Sequence, residues 1–231
     1  MELIINNHTV LKKIEIERAE KMTSLCSPLS YSEKQFLDLL TFFGRKESNI
    51  IKALDYAKSL DFSKNHLKSS YLSHPLRLAS FLIKINPSID ADYIVISLLH
   101  NIPETTEITV EDLKNTFGEK VADCIKTLVL DRKVSFPTIE ESYYKEIFAR
   151  GSSLILVKLF DKIDNLFVLC LNPDDEVRKN YIIEVRKKLL PFVYDYNLQL
   201  GEYLDELLKT SLSLGYSEKL KKKLIEYQQS L

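Results

Sequence analysis

Ile94-Val95-Ile96-Ser97-Leu98-Leu99-His100-Asn101-Ile102-Pro103-Glu104-Thr105-Thr106 is the stretch that decides how this chain folds. Ile94, Ile96, Leu98 and Leu99 give a helix over about 90–100 enough apolar surface to be buried on more than one side, and Leu78, Phe81 and Leu82 do the same for a helix over about 75–85. The two form the expected centre of the core. Polar His100 and Asn101 fall at the end of the second helix, where a buried scaffold can hold them in place.

Outward from this centre the pattern stays helical. Phe36, Leu39, Leu40 and Phe43 recur at helical spacing over 31–42 and stop at Gly44. A second helix runs from Ile50 through Leu54 and Ala57 to about Leu60, and a polar loop then leads to His74. Thr109-Val110-Glu111-Asp112 has the form of a capping box and opens a helix that closes at Gly118. A further helix reaches about Leu130, residues 131–137 read as a loop, and Ile139 to Ala149 read as a helix ended by Gly151. A strongly apolar helix is expected over 152–171. Pro173-Asp174-Asp175-Glu176 puts proline and acids in the first turn of the next, where the helix dipole favours negative charge. Lys219 to Lys223 reads as a solvated basic face at the end of a long C-terminal helix, where the dipole favours positive charge. With 5 glycines, 7 prolines and no Asn-Gly or Asp-Gly turn in 231 residues, hairpins lack their turn chemistry, and the fold class is all-α.

Composition narrows the function classes. Lys+Arg 32 against Asp+Glu 33 leaves a net charge of -1, so no global field draws the protein to nucleic acid or to an acidic membrane, and neither is expected as a partner. No apolar run reaches the ~20 residues that span a bilayer. Cys26, Cys124 and Cys170 are widely spaced without a CxxC pair, which suits reduced thiols and a cytoplasmic protein. The 12 tyrosines and 11 phenylalanines suffice for a core or a dimer interface, and nothing in the sequence assigns them, so the oligomeric state stays open.

His74 at the start of one helix, His100 at the end of another and Asp161 inside a third give a bundle two imidazoles and a carboxylate to bring onto one cation. Such a mixed nitrogen and oxygen set suits a divalent metal such as Mn²⁺, Fe²⁺, Co²⁺ or Zn²⁺. Any one of the four histidines alone has an ordinary reading as a surface or core residue.

Four segments taken in order resemble the hydrolase domain of the RelA/SpoT family and the small alarmone hydrolases, within the HD superfamily of helical metal-dependent phosphohydrolases. They are Tyr71-Leu72-Ser73-His74-Pro75, Leu98 to Thr106, Thr109 to Val121, and Val157-Lys158-Leu159-Phe160-Asp161-Lys162-Ile163-Asp164-Asn165-Leu166. The resemblance implies an HD-type helical bundle over 46–214, with an N-terminal helical extension over 1–45 and a C-terminal helix over 215–231. It implies His74, His100 and Asp161 as metal ligands, with Asn101 where the family's aspartate completes the set, and Mn²⁺ as the metal. Glu104 matches the glutamate of the family's acidic pair and Thr105 stands for the second acid, so the catalytic pair is Glu104 and Thr105. Lys68 and Ser69 match part of the loop that holds a guanine, and Asn165 matches a residue near the nucleotide sugar, preceded by Asp164 where a histidine is usual. Lys68 also has a plain reading as a solvated loop lysine. Lys158 and Arg150 read either as phosphate contacts or as surface charge.

The function implied is metal-dependent hydrolysis of a phosphate ester, with (p)ppGpp as the nucleotide and pyrophosphate leaving from the ribose 3′ position. Asn101 can offer a neutral carbonyl oxygen to a cation, but it brings no negative charge and accepts no proton. With Asn101 and Thr105 both departing from acids, the other reading is a non-catalytic nucleotide-binding sensor or regulator derived from an HD hydrolase.

Overall fold

A chain with few turn residues and apolar side chains at helical spacing satisfies its backbone within helices, and every regular element among the described residues is helical. The structure, a computed structural model, describes residues 7–62, 71–129 and 138–230. In chain order the helices are α1 (Asn7–Leu25), α2 (Leu29–Phe42), α3 (Ser48–Ser59), α4 (Ser73–Ile85), α5 (Ala91–Leu99), α6 (Ile102–Thr105) and α7 (Val110–Phe117). There follow α8 (Glu119–Leu128), α9 (Thr138–Ala149), α10 (Ser152–Leu166), a 3-10 turn Leu169–Leu171, α11 (Asp175–Lys188), α12 (Leu190–Tyr196), α13 (Leu198–Leu214) and α14 (Glu218–Ser230). No described helix is long and apolar enough to cross a membrane. The chain divides into two compact units, Ser27–Asp161 and Met1–Cys26 with Lys162–Leu231.

In the unit Ser27–Asp161, α5 packs against α3, α4 and α8. That position explains its sequence: a helix touched on three sides can bury Ile94, Val95, Ile96, Leu98 and Leu99 together, each worth about 1.5–3 kcal/mol of apolar burial. Leu78, Ala79, Leu82 and Ile83 of α4 are buried as well, and Phe81 stacks on Phe160 with ring centroids 5.8 Å apart. The capping box at α7 has both halves. Thr109 Oγ1 accepts from the Asp112 N–H at 3.2 Å, and the Asp112 carboxylate accepts from the Thr109 N–H at 2.9 Å. Gly118, at φ 90°, then turns the chain into α8 through a conformation that other residues adopt only under strain.

In the other unit α13 packs against α1, α11 and α12, and buries Leu204, Leu207 and Leu208. A Cβ at Gly201 would lie 2.5 Å from the Tyr194 ring, so the approach of α12 to α13 needs a glycine. Lys21 of α1 forms an ion pair with Asp164 of α10, both buried.

Three expectations change. The apolar run 152–171 breaks after Leu166, and Leu169–Leu171 forms a separate 3-10 turn. Burial of Phe167, Leu169 and Cys170 accounts for the apolar residues beyond the break without helical periodicity. Pro173 stands just before the N-cap of α11 instead of inside its first turn. Asp174 is that cap, accepting from the Val177 N–H at 3.1 Å, because a short acidic side chain serves the open N–H groups where proline cannot. Lys219 to Lys223 open α14 instead of closing a helix, so the dipole does not favour them there. The pair Lys222–Glu218, 3.1 Å apart, offsets part of that charge. The expected loop 131–137 lies outside the described residues.

Replacing Lys21 by Met leaves the Asp164 carboxylate buried without its ammonium. Lys21→Met is expected to lower unfolding free energy in urea by about 3–5 kcal/mol, and Lys21→Met combined with Asp164→Leu to recover most of it.

Candidate metal centre

Proline placement builds both histidine positions. Pro75 is the third residue of α4, within the first turn, where the missing N–H costs nothing because no carbonyl awaits it. His74 is thereby fixed at the helix start. Pro103 has the opposite effect on α5: lacking an N–H, it cannot bond the Leu99 carbonyl, so the helix ends and the one-turn α6 begins after Asn101. His100 occupies the C-cap of α5 at that break.

Within the unit Ser27–Asp161, His74, His100 and Asp161 come together, all three buried. His74 Nε2 lies 3.3 Å and His100 Nε2 3.8 Å from the same Asp161 oxygen, Oδ1. The three donor atoms lie within 4.8 Å of one another. Ligands bound to one ion at about 2.0–2.2 Å sit up to about 4.4 Å apart, so a shift of a few tenths of an ångström suffices to close them on a cation. The tautomer of His100 also suits a metal. Its Nδ1 faces the Ser97 carbonyl oxygen at 2.8 Å, and a carbonyl only accepts, so in the neutral ring that ligates a metal Nδ1 carries the hydrogen and Nε2 keeps the lone pair. That Nε2 is buried and makes no hydrogen bond, which fits an atom that ligates a metal.

The second Asp161 oxygen, Oδ2, is 2.9 Å from Lys158 Nζ. Burial alone would push the carboxyl up, but Lys158 and the two imidazoles hold it well below the usual carboxylate range. Burial likewise opposes charge on Lys158, and the nearby Asp161 and Tyr143 more than offset it, so the ammonium stays charged. Lys158 sits over the Tyr143 ring, 5.4 Å from its centroid. It is therefore not plain surface charge but a largely buried partner of the ligand carboxylate. Arg150 is exposed.

Asn101 is half-buried at the cap of α6. With Thr105 it neighbours the buried Tyr71 hydroxyl, and burial pushes that phenol up against the opposing pull of both side chains. Thr105 Oγ1 donates to the backbone carbonyl of Asn101 at 2.7 Å, so its proton is committed. Glu104 is exposed on α6, close enough for its charge to act on Tyr71 and Tyr143. Lys68 and Ser69 lie outside the described residues, and Asn165 stands one turn beyond Asp161 on α10, in the other unit.

Sequence reasoning passed over Tyr71, Tyr143 and the role of Lys158. A signal existed for the last: a lysine among the buried Leu156, Val157, Leu159 and Phe160 is largely withdrawn from solvent, such an ammonium requires an anion, and Asp161 is three residues on. No comparable signal marked Tyr143.

Residues 53–141, which contain His74, His100, Asn101 and Glu104, match the family model of the HD domain. The chain carries an HD domain. Such domains bind divalent metals, and Asp161, which completes the cluster, lies beyond the matched segment. The chain is similar to the guanosine-3′,5′-bis(diphosphate) 3′-pyrophosphohydrolase of Aquifex aeolicus, 27% identical over 151 residues covering 64% of this chain and 21% of that protein. The protein of the same name from Haemophilus influenzae is 32% identical over 115 residues, covering 47% of this chain and 17% of that protein. The chain thus spans about a fifth of the length of these curated relatives. Among solved structures, a metazoan ortholog of SpoT, described as hydrolyzing ppGpp, aligns at TM-score 0.48 and 20% identity, over 80% of this chain and 96% of that one.

If the cluster is a metal centre, removing one imidazole opens it. In equilibrium dialysis against Mn²⁺ the protein is expected to bind about one ion per chain, and His100→Ala almost none with an unchanged far-ultraviolet spectrum.

Proposed function

We propose that the protein is a metal-dependent phosphohydrolase that removes pyrophosphate from the ribose 3′ position of a guanine nucleotide, with ppGpp or pppGpp as substrate and Mn²⁺ as the metal. The observation that carries this reading is the buried convergence of His74, His100 and Asp161 within a chain that carries an HD domain and is similar to 3′-pyrophosphohydrolases of ppGpp.

When bound, the cation supplies Lewis acidity to a phosphoryl oxygen and to the attacking water. The residues of the chain divide the remaining work. His74, His100 and Asp161 hold the cation, and Asn101 adds a carbonyl oxygen. Glu104 takes a proton from the water that attacks the phosphorus attached to the sugar O3′. The bond from that phosphorus to O3′ breaks, O3′ takes up a proton, and the products are pyrophosphate and a nucleotide with a free 3′ hydroxyl. Thr105 contributes a neutral oxygen on the same side. Lys68 and Ser69 contact the base.

One observation favours the non-catalytic alternative. Asn101 and Thr105 are both neutral, and the Thr105 hydroxyl is donated to the backbone carbonyl of Asn101, so no second carboxylate shares proton transfer with Glu104. A nucleotide would then be bound without being cut.

With Mn²⁺ present, the expected result is slow release of pyrophosphate from ppGpp, abolished in Glu104→Ala with metal content retained and raised at least about tenfold in Asn101→Asp, since restoring a carboxylate restores ligand charge. No turnover by either the natural chain or Asn101→Asp, with ppGpp still raising the melting temperature, supports the binding protein instead.

A further inference from the structure

Asp161 divides its two oxygens between different tasks. Oδ1 faces the two imidazoles, at 3.3 Å from His74 Nε2 and 3.8 Å from His100 Nε2, while Oδ2 is held by Lys158 Nζ at 2.9 Å. The Lys158 side chain is 12% exposed and that of Asp161 8%, so solvent and salt screen this pair little. Nor can the ammonium easily swing away. It rests over the Tyr143 ring, which is anchored by its own hydroxyl donating to the Leu128 carbonyl at 2.7 Å. A positive charge is therefore fixed one carboxylate's width from the position a metal would occupy.

The charge balance of the cluster follows. His74 and His100 are neutral when they ligate, Asn101 is neutral, and the single negative charge, on Asp161, is already matched by Lys158. In a poorly screened site, a fixed ammonium and an incoming divalent cation repel each other strongly.

We propose that Lys158 is a built-in counter-cation that sets the metal affinity of this centre: it keeps Asp161 paired in the metal-free protein and weakens the hold of the His74, His100 and Asp161 cluster on its divalent ion. The proposal rests on the reading of that cluster as a metal site. It makes Lys158 a positioning residue acting through Asp161 and assigns the effect to its charge, with Lys158 and the metal sharing one carboxylate. Metal exchange is accordingly easy and the fold does not depend on the ion.

Charge and geometry are separable by substitution. Lys158→Gln keeps a donor for Oδ2 without the charge, Lys158→Met keeps the length with neither, and Lys158→Arg keeps both charge and donor. Mn²⁺ binding to the full-length chain, followed by titration calorimetry, is expected to tighten roughly tenfold or more in the Gln variant and to stay within about threefold of the natural chain in the Arg variant. The Mn²⁺-induced rise in melting temperature is expected to be larger in the Gln variant than in the natural chain. The Met variant, if folded, is expected to follow Gln. If Gln and Arg both bind like the natural chain, or if Met binds more weakly while Gln and Arg do not, the effect is one of geometry and the proposal is overturned while the metal reading stands. If neither the natural chain nor any variant binds Mn²⁺, the metal reading falls and the proposal with it.

Discussion

A carboxylate buried at Asp161 has to be matched on both of its oxygens, and that requirement organises the middle of the chain. Lys158 meets one oxygen from a helical turn away on α10, and His74 and His100 face the other from α4 and α5. An uncompensated charge in such surroundings would cost several kcal/mol. The three helices must therefore keep their register with one another, and the tight packing of α5 between α3, α4 and α8 supplies the rigid frame for it. The apolar residues of α4 and α5 fix where the imidazoles stand, and the imidazoles give Asp161 its purpose.

The same arrangement shapes what chemistry is available. Two imidazoles and one carboxylate oxygen form a donor set that a divalent metal accepts, and the Ser97 carbonyl selects the His100 tautomer whose Nε2 can ligate. The neutral Asn101 and Thr105 leave Glu104 as the carboxylate available on α6 for proton transfer. Lys158, caged against Tyr143, removes further negative charge from the centre. The site is thus poorer in negative charge than a pair of aspartates would make it.

What could be read in the sequence is what is encoded locally. The Thr109 and Asp112 capping box involves residues three apart and was legible as it stood, as was the helix stop at Gly118. The histidines were legible through the segments around them, Tyr71 to Pro75 and Leu98 to Thr106, which resemble a known family in order. The break of α10 after Leu166 was not, because Phe167, Leu169 and Cys170 are apolar for burial and mimic a continuing helix. The buried pair of Lys21 and Asp164 joins residues 143 apart, and no local pattern announces such a contact. Tyr71 and Tyr143 escaped notice for the same reason: each reads as an ordinary aromatic core residue, and only the fold brings them beside Asn101 and Lys158.

The central claim is that His74, His100 and Asp161 hold one divalent cation. Its most direct measurement is anomalous diffraction at the manganese edge from crystals grown with Mn²⁺. The expected result is a single strong peak about 2.0–2.3 Å from His74 Nε2, His100 Nε2 and Asp161 Oδ1, with Lys158 still on Oδ2. A map without a peak there, with the two imidazoles hydrogen-bonded to Asp161 or to water instead, would contradict the account.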